Sequence, residues 1–279
     1  MRRFSADYLR RTREGLWESR EALADLDLPD RERVLDVGCG TGELTRVLAE
    51  EMAGEGDGTR EVVGVDADPD LLAVAREHRG PRQSFLAGDA HRLPFPDDSF
   101  DLVVCQALLV NLPDPERAVR EFARVASDGV AAVEPDNAAV SVDSTVEREG
   151  ELARRARAAF VAGADTDVAL GGEGTREAFH DAGLRDVTTR EHYHEKTVEP
   201  PYEERDLAAA KRKASGAALA ERRETLVGPL DAEEYEDLRT AWREMGRDVV
   251  EQMGDRTYRR AEAVPFYVTV GRVDGEPSG

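Results

Sequence analysis

The sequence contains few cysteines and no long apolar run. Neither of its two cysteines, Cys39 and Cys105, is placed for a disulfide framework, and no C-x-x-C or His/Cys cluster indicates a metal site. No stretch approaches the roughly 18 apolar residues that a membrane-spanning helix needs, and the first residues lack an apolar signal core. These absences predict a soluble, cytoplasmic protein with reduced cysteines, no bound metal and no membrane partner.

Positive charge is also scarce. The chain has 59 acidic and 38 basic residues, a net charge of −21, and only three of the basic residues are lysines. A surface this acidic makes nucleic acid an unlikely partner. Dense carboxylates are typical of adaptation to high salt, where their mutual repulsion is screened. We therefore expect a halophilic, haloarchaeal source, with an acidic surface in a mesophile as the alternative.

The most informative segment that is present is the glycine-rich stretch over residues 34–42, V-L-D-V-G-C-G-T-G. An apolar run leads into a loop with a glycine at every second position, and a helix-like stretch starts at Glu43. This strand–loop–helix order is typical of a nucleotide-binding α/β domain, and the glycines allow the backbone to approach a ligand closely. The third glycine comes one residue earlier than in the dinucleotide fingerprint G-x-G-x-x-G.

Strands and helices are predicted to alternate along the first half of the chain. The expected strands cover residues 33–37, 61–65, 83–87, 100–105, 130–134, 184–195 and 264–272. This order predicts an α/β fold with a doubly wound, mostly parallel, seven-stranded sheet, whose strand ends form one ligand-binding edge. Helices are expected over residues 5–27 and from Ser144, where Glu147 completes a capping box.

Three segments in order resemble class I S-adenosylmethionine (SAM)-dependent methyltransferases. D-V-G-C-G-T-G is similar to their motif I, and G-D-A at residues 88–90, followed by L-P-F and F-D, is similar to their adenine-binding segment. Residues 106–115 are similar to the stretch beneath the methionine moiety, although the family commonly has histidine where Asn111 stands. The resemblance is specific over residues 33–136. It continues more weakly to residue 187 as the ubiquinone/menaquinone-type, type 11-like group.

The resemblance implies a Rossmann-like methyltransferase fold, SAM as cofactor and a set of cofactor contacts. Asp66 would bind the ribose hydroxyls, and Asp89 would contact the adenine amino group. The expected cofactor-binding residues are Asp36, Gly38, Cys39, Gly40 and Gly42 in the glycine loop, Asp66 and Ala67 after the second strand, and Gly88, Asp89, Ala90 and Gln106 farther along.

Five regions are expected from these observations. They are an N-terminal helical segment (1–30), a SAM-binding α/β core (31–195), a helical insertion or cap (196–262), a final core strand (263–273) and a disordered tail (274–279). The insertion contains a periodic helix after Asp231, whose apolar stripe either packs on the core or lines a substrate cavity. It also holds a basic cluster, residues 211–213 with Arg222 and Arg223, which is either a solvated helix face or a site for an anionic acceptor.

The catalytic residue is left open, because the sulfonium methyl is already activated and its transfer depends on positioning and desolvation. A general base is needed only for an acceptor that is protonated at working pH. His192 and His194 share one face of a predicted strand and are candidates for that base or for a substrate contact. Tyr8, with Arg11, is a candidate for closing over the site.

The sequence therefore predicts a SAM-dependent methyltransferase that methylates a small-molecule acceptor by in-line displacement. Three alternatives remain open: an NAD(P)-dependent oxidoreductase on the same architecture, an RNA or protein methyltransferase, and a non-catalytic SAM-binding protein. The acceptor and the oligomeric state are not predicted.

Overall fold

The computed structural model describes residues 4–53 and 60–273, which form eight strands and ten α-helices. The strands are β1 Arg33–Val37, β2 Glu61–Asp66, β3 Gln83–Ala87, β4 Phe100–Gln106, β5 Ala126–Pro135, β6 Ser141–Ser144, β7 Arg185–Val198 and β8 Arg260–Arg272. The helices are α1 Ala6–Arg13, α2 Glu43–Glu51, α3 Pro69–Glu77, α4 Pro115–Val125, α5 Glu149–Ala162, α6 Gly171–Asp181, α7 Glu204–Ser215, α8 Ala217–Ala220, α9 Arg223–Leu226 and α10 Ala232–Gly254.

The chain divides into two compact units, and the first contains a mostly parallel sheet. This unit takes the described parts of residues 1–135, 170–192 and 266–279. Its strands follow the order β3-β2-β1-β4-β5-β8; the pairs from β3 to β5 are parallel, β8 is antiparallel to β5, and β7 pairs with β8. The predicted α/β class with a mostly parallel sheet is confirmed.

The central strands are apolar along most of their length because helices cover both faces of a parallel sheet. Val34 and Leu35 of β1 are fully buried, and so is β4 from Leu102 to Cys105. The helices present matching stripes. In α4, the four residues Ala118, Val119, Phe122 and Val125 are fully buried. Asp114 begins this helix by accepting a hydrogen bond of 3.0 Å from the amide of Arg117.

The strand count is higher than the seven predicted, because β6 was not expected. This strand has four residues, S-V-D-S, and pairs antiparallel with Arg260–Ala263, the first residues of β8. Its side chains are half-buried or exposed, so no apolar alternation marks it in the sequence. The helix expected from Ser144 begins at Glu149 instead, because Ser144 is the last residue of β6.

The N-terminal segment also differs from the single helix expected over residues 5–27. Helix α1 ends at Arg13, Gly15 adopts a φ of 76°, and the chain continues as 3₁₀ helices over Glu21–Leu26 and Leu28–Asp30. A left-handed glycine interrupts the regular hydrogen-bond ladder of a helix, so the two halves form separately.

The second unit contains residues 136–169 and 193–265. Its core is built around α10, which starts with a reciprocal capping box between Asp231 and Glu234. The apolar stripe of this helix is buried within the unit, whereas Trp242 is only partly buried. Residues 136–169, assigned from sequence to the α/β core, cluster with this unit. The expected tail at 274–279 lies outside the described residues.

Within residues 4–53 and 60–273, no helix combines the length and the apolar character needed to cross a bilayer.

Candidate functional site

The glycine loop between β1 and α2 is held against the end of β2 by backbone hydrogen bonds. Gly38, Gly40 and Gly42 all have positive φ, at 73°, 56° and 77°. The amides of Gly38 and Cys39 both donate to the carbonyl oxygen of Val65, at 2.7 and 3.0 Å. The loop therefore has a defined shape in which its first amides are already used by the protein.

The side chain of Asp66, at the end of β2, also holds the glycine loop in place. Its Oδ2 accepts a hydrogen bond from the amide of Gly40 and its Oδ1 one from the amide of Asp68, both at 2.8 Å. Burial raises the pKa of Asp66, while these amides oppose the rise. Each carboxylate oxygen keeps a second acceptor position. The neighbouring Ala67 is exposed.

Asp36 lies fully buried at the base of the loop. Its Oδ2 accepts a hydrogen bond of 2.6 Å from the hydroxyl of Thr45, which is fully buried in α2. Its Oδ1 has no hydrogen-bond partner among the described residues. Burial raises the pKa of Asp36 to about 6, so the carboxyl group is mostly ionised at neutral pH.

Gln106 supplies a second buried oxygen of the same kind. It is the last residue of β4, the strand that pairs with β1 through Val37 and Cys105. Its side chain is 5% exposed, and its Oε1 has no hydrogen-bond partner within the described ranges. Two adjacent strand ends therefore each present a buried acceptor without a donor, which is costly unless a ligand completes it.

The segment after β3 approaches the same edge of the sheet. The amide of Gly88 donates to the carbonyl oxygen of Asp66 at 3.1 Å, and Ala90 is buried. Asp89 is exposed, and its Oδ1 accepts a hydrogen bond of 2.9 Å from the amide of His91, which lowers the pKa of Asp89. The ring of His91 bridges Asp89 and the carbonyl oxygen of Asp114, at 3.1 and 3.0 Å.

The predicted cofactor residues therefore lie at the ends of four neighbouring strands, in the order β3-β2-β1-β4. Two nearby residues were missed by the sequence analysis. Glu134, at the end of β5, is fully buried and accepts hydrogen bonds from the amides of Leu108, Leu109 and Val110, at 2.9, 2.9 and 3.2 Å. It holds the turn after Gln106, and its only sequence signal is an acid that ends an apolar run.

Arg13 is the second missed residue. It ends α1, is 7% exposed, and its Nη1 lies 3.5 Å from the position that a Cβ of Gly40 would occupy. Its charge opposes the rise in pKa that burial causes at Asp36, Glu43 and Asp66. Nothing in the sequence indicates this, because Arg13 is separated from the loop by a full strand and stands among other arginines.

Of the catalytic candidates, the two histidines lie on β7, away from this set, whereas Tyr8 lies on α1, the helix that approaches Gly40. His192, half-buried on β7, stacks on Phe266 with ring centroids 5.5 Å apart, and β4, β5 and β8 separate β7 from β1 in the pairing order. His194 is 8% exposed, and Tyr193 between the two histidines is 59% exposed. Tyr8 is 37% exposed and stacks on Phe4. Their catalytic roles stay predictions.

The basic cluster does not form one surface. Lys213 is paired with the buried Glu149, and Arg212 with Glu221 at 2.6 Å. Arg222 and Arg223 lie over the rings of Phe160 and Tyr235, respectively.

Neither cysteine is placed to act as a nucleophile. Both are buried free thiols, and burial raises the pKa of each well above its ordinary value. In the part of the chain that the structure describes, no group of three or more His, Cys, Asp or Glu side chains could hold a metal ion.

The central segment of the chain is similar to known proteins. Residues 35–133 match the family described as "Methyltransferase domain". A demethylmenaquinone methyltransferase of Thermus thermophilus is 43% identical over 100 residues, which are 35% of this chain and 43% of that protein. A trans-aconitate 2-methyltransferase of Variovorax paradoxus is 39% identical over 121 residues, 43% of this chain and 44% of that protein. The chain spans less than half the length of these curated relatives.

The fold has a solved counterpart over nearly its whole length. The YcgJ protein from Bacillus subtilis is 17% identical, with a TM-score of 0.50, and the match covers 92% of this chain and 100% of that one. At this identity the similarity concerns the fold alone. The predicted resemblance to methyltransferases is confirmed over residues 35–133.

Proposed function

We propose that this chain, whose residues 35–133 are a methyltransferase domain, transfers the methyl group of SAM to a small-molecule acceptor. One observation supports the cofactor most directly: the unpartnered oxygens of Asp36 and Gln106, buried at adjacent strand ends. The α-ammonium group of SAM is a cation with several N–H donors and would satisfy both. The residues present therefore fit the amino-acid end of this cofactor.

The remaining predicted cofactor contacts lie along the same edge of the sheet. We propose that Asp66 accepts hydrogen bonds from the ribose hydroxyls with its free acceptor positions, and that exposed Asp89 accepts one from the adenine amino group. Gly38, Cys39, Gly40 and Gly42, with Ala67, Gly88 and Ala90, would contact the cofactor mainly through the backbone or by leaving room for it.

The chemistry needs little more from the protein than position. Bound SAM supplies an activated methyl group on a sulfonium centre. Asp36 and Gln106 would orient it, and the turn held by Glu134 would keep Leu108, which packs on Gly38, beside it and exclude water. His192 and His194 are proposed as general-base or substrate-contact residues only for an acceptor that is protonated at working pH, and Tyr8 as a residue that closes over the site.

Dinucleotide binding is the less favoured alternative for the same architecture. A pyrophosphate needs free loop amides. Here the amides of Gly38, Cys39 and Gly40 already donate to Val65 and Asp66. The buried carboxylate of Asp36 would also repel a phosphate.

The proposal also includes the class of methyl acceptor, the kind of source organism and the cellular compartment. The two relatives described above are named for small-molecule acceptors, and the net charge of −21 disfavours nucleic acid. We propose that the second unit, including the 196–262 insertion, selects the acceptor. The acidic surface supports a halophilic source, and two free thiols support a cytoplasmic setting.

Isothermal titration calorimetry tests the cofactor. We expect binding of SAM and of its demethylated product, S-adenosylhomocysteine, and no binding of NAD. Asp36→Asn should weaken SAM binding at least tenfold, because its amide group would turn a donor toward the ammonium. Asp181→Asn, an exposed change at the end of α6, should leave it unchanged. NAD binding without SAM binding would overturn the proposal.

Formation of S-adenosylhomocysteine from SAM in the presence of small-molecule extract tests turnover. Binding of SAM without any product, across extracts and pH, would favour a non-catalytic SAM-binding protein instead. Activity confined to the macromolecular fraction would favour an RNA or protein acceptor.

A further inference from the structure

Arg13 is a largely buried residue whose guanidinium has no hydrogen-bond or ion-pair partner among the described residues. Only 7% of the residue is exposed, yet within the described ranges its guanidinium makes no hydrogen bond and has no carboxylate oxygen within 4.0 Å. Arginine stays charged in proteins and is rarely buried without an ion pair, because its desolvation is expensive. No nitrogen of Arg13 is among the completely buried, unpartnered atoms of the described residues, so the guanidinium borders solvent, where an entering ligand can take the place of water.

The surroundings of Arg13 place it on the glycine loop. Helix α1 approaches the loop so closely that a Cβ at Gly40 would meet Leu9 Cδ1 at 2.9 Å and Arg13 Nη1 at 3.5 Å. The approach of Leu9 is possible only because residue 40 has no side chain, whereas the distance to Arg13 is that of ordinary van der Waals contact. The guanidinium therefore lies beside the backbone that, in the proposed function, receives the cofactor.

Two of the carboxylates nearby, Asp36 and Asp66, are already engaged elsewhere. The third, Glu43 at the start of α2, feels the charge of Arg13 but lies more than 4.0 Å from its guanidinium. Asp66 accepts two backbone amides, and Asp36 accepts the hydroxyl of Thr45. Arg13 acts on these groups only at a distance, where its charge partly offsets the rise in their pKa that burial causes. The arrangement leaves the five N–H donors of the guanidinium for an anion that enters the site.

We propose that Arg13 binds the α-carboxylate of the methionine moiety of SAM. This inference rests on the proposed function and deepens it. The amino-acid end of the cofactor carries one positive and one negative group. The free oxygens of Asp36 and Gln106 suit the first, and the guanidinium of Arg13 suits the second with two parallel hydrogen bonds. Together they form a recognition site for an α-amino acid, built from the ends of β1 and β4 and from α1.

A structural role for Arg13, as a distant counter-charge to Asp36 and Asp66, makes a different prediction. In that case its loss weakens every adenosyl ligand to a similar extent. A carboxylate-binding role instead affects only ligands that carry the carboxylate. Decarboxylated SAM keeps the adenosine, the sulfonium and the amine, so comparing it with SAM separates the two roles.

The experiment measures binding of SAM, S-adenosylhomocysteine and decarboxylated SAM to four proteins by isothermal titration calorimetry: the wild type, Arg13→Gln, Arg13→Lys and Arg10→Gln. Arg10, exposed on the same helix and paired with Asp7 at 3.2 Å, is the matched control. Arg13→Gln should weaken SAM and S-adenosylhomocysteine about 10- to 100-fold, the loss typical of a hydrogen-bonded charge pair. Its affinity for decarboxylated SAM should equal that of the wild type.

Arg13→Lys keeps the positive charge, so it still tests the proposal if Arg13→Gln fails to fold. It should show an intermediate loss for SAM, because an ammonium group cannot make the two parallel bonds. In turnover assays, the KM for SAM should rise in both variants with little change in kcat. A parallel loss for decarboxylated SAM, or a wild type that binds SAM and decarboxylated SAM equally well, would overturn the role of Arg13. A wild type that binds no adenosyl ligand would instead overturn the proposed function.

Discussion

The hydroxyl of Thr45 donates a hydrogen bond of 2.6 Å to Oδ2 of Asp36, and both residues are buried. This bond joins the first turn of α2 to the end of β1 across the glycine loop. It also selects which carboxylate oxygen stays free. A hydroxyl committed to Oδ2 leaves Oδ1 as the acceptor available to a ligand.

Replacing Thr45 by valine should remove this donor and keep the shape. We expect a loss of about 1–3 kcal/mol in the free energy of unfolding at pH 7.5, because a buried carboxylate would lose a hydrogen bond. At pH 5 the loss should be smaller, because the pKa of Asp36, raised by burial to about 6, leaves the carboxyl group mostly neutral there. Urea denaturation at both pH values measures this. Thr45→Ser is the control, and an equal loss at both pH values would contradict the explanation.

Gly42→Ala should destabilise the protein for two separable reasons. Gly42 has a φ of 77°, and a Cβ there would meet Cζ of Phe85 at 2.8 Å. Gly183 has a similar φ of 83° but nothing within 4 Å, and Gly228 has open space without positive φ. We expect losses of about 3 kcal/mol, about 1 kcal/mol and close to zero for the three alanine variants. Thermal or urea unfolding ranks them. A loss for Gly183→Ala as large as that for Gly42→Ala would exclude the steric contribution.

Glu134 should lower the stability of the protein as the pH rises, whereas a carboxylate in an ordinary ion pair raises it. Burial raises its pKa from 4.5 to about 7. The folded protein therefore holds this proton more tightly than the unfolded chain. Its contribution to stability is full below about pH 4.5 and is lost as pH rises toward 7, by up to about 3 kcal/mol at roughly 1.4 kcal/mol per pKa unit.

The variant Glu134→Gln should be less stable, because its amide group would face a backbone donor, and it should have a flatter profile between pH 4.5 and 7. The exposed change Glu195→Gln should keep the profile of the wild type. Urea midpoints across this range measure the difference. Parallel profiles for the wild type and Glu134→Gln would show that Glu134 does not titrate there.

In the second unit, Glu149→Gln should be strongly destabilising. Glu149 is 1% exposed, is paired with Lys213 and with Arg260, and accepts hydrogen bonds from Ser144 and Tyr258 at 2.7 and 2.9 Å. Removing its charge leaves the largely buried Lys213 without the carboxylate it pairs with, while Arg260 keeps Glu262, and breaking such a buried pair typically costs about 3–5 kcal/mol. The exposed Glu147→Gln should cost less than about 0.5 kcal/mol. Calorimetric unfolding compares the two, and similar midpoints would contradict a stabilising role for the buried cluster.

The proposed halophilic source has its own test in the salt dependence of unfolding. A net charge of −21 predicts self-repulsion that simple screening relieves by about 0.3 M salt, where the Debye length is already shorter than most surface charge separations. A halophilic protein should continue to gain stability up to about 2 M KCl. A melting temperature that reaches a plateau near 0.3 M would favour the mesophilic alternative.

Much of the fold could be predicted because its signals are local. The five strands from β1 to β5 each contain an apolar run, and the glycines at 38, 40 and 42 mark the loop directly. Strand β6 was missed because S-V-D-S has no apolar side to bury. The N-terminal helix was drawn too long because helical spacing continues past Gly15, where the backbone turns left-handed.

The features of the site that could be predicted from the sequence are again those with local signals. Asp36 and Asp66 lie at the ends of β1 and β2, and Asp89 follows β3. The sequence marks these strand ends, so the presence of the three residues at one edge could be expected. Their hydrogen-bond states could not, since only the structure pairs Thr45 with one oxygen of Asp36 and the amide of Gly40 with Asp66. Arg13 and Glu134 act across contacts between distant parts of the chain, which no periodicity or motif records.

By itself the sequence determined the parallel sheet and the glycine loop, because apolar periodicity and backbone freedom are properties of neighbouring residues, and its motifs carried the resemblance to methyltransferases. Only the tertiary structure decided which polar groups near the glycine loop lack a partner among the described residues: an oxygen of Asp36, an oxygen of Gln106 and the guanidinium of Arg13. Whether a buried polar group is satisfied depends on atoms brought together by folding. The groups left without a partner then indicate which donors and acceptors the ligand must carry.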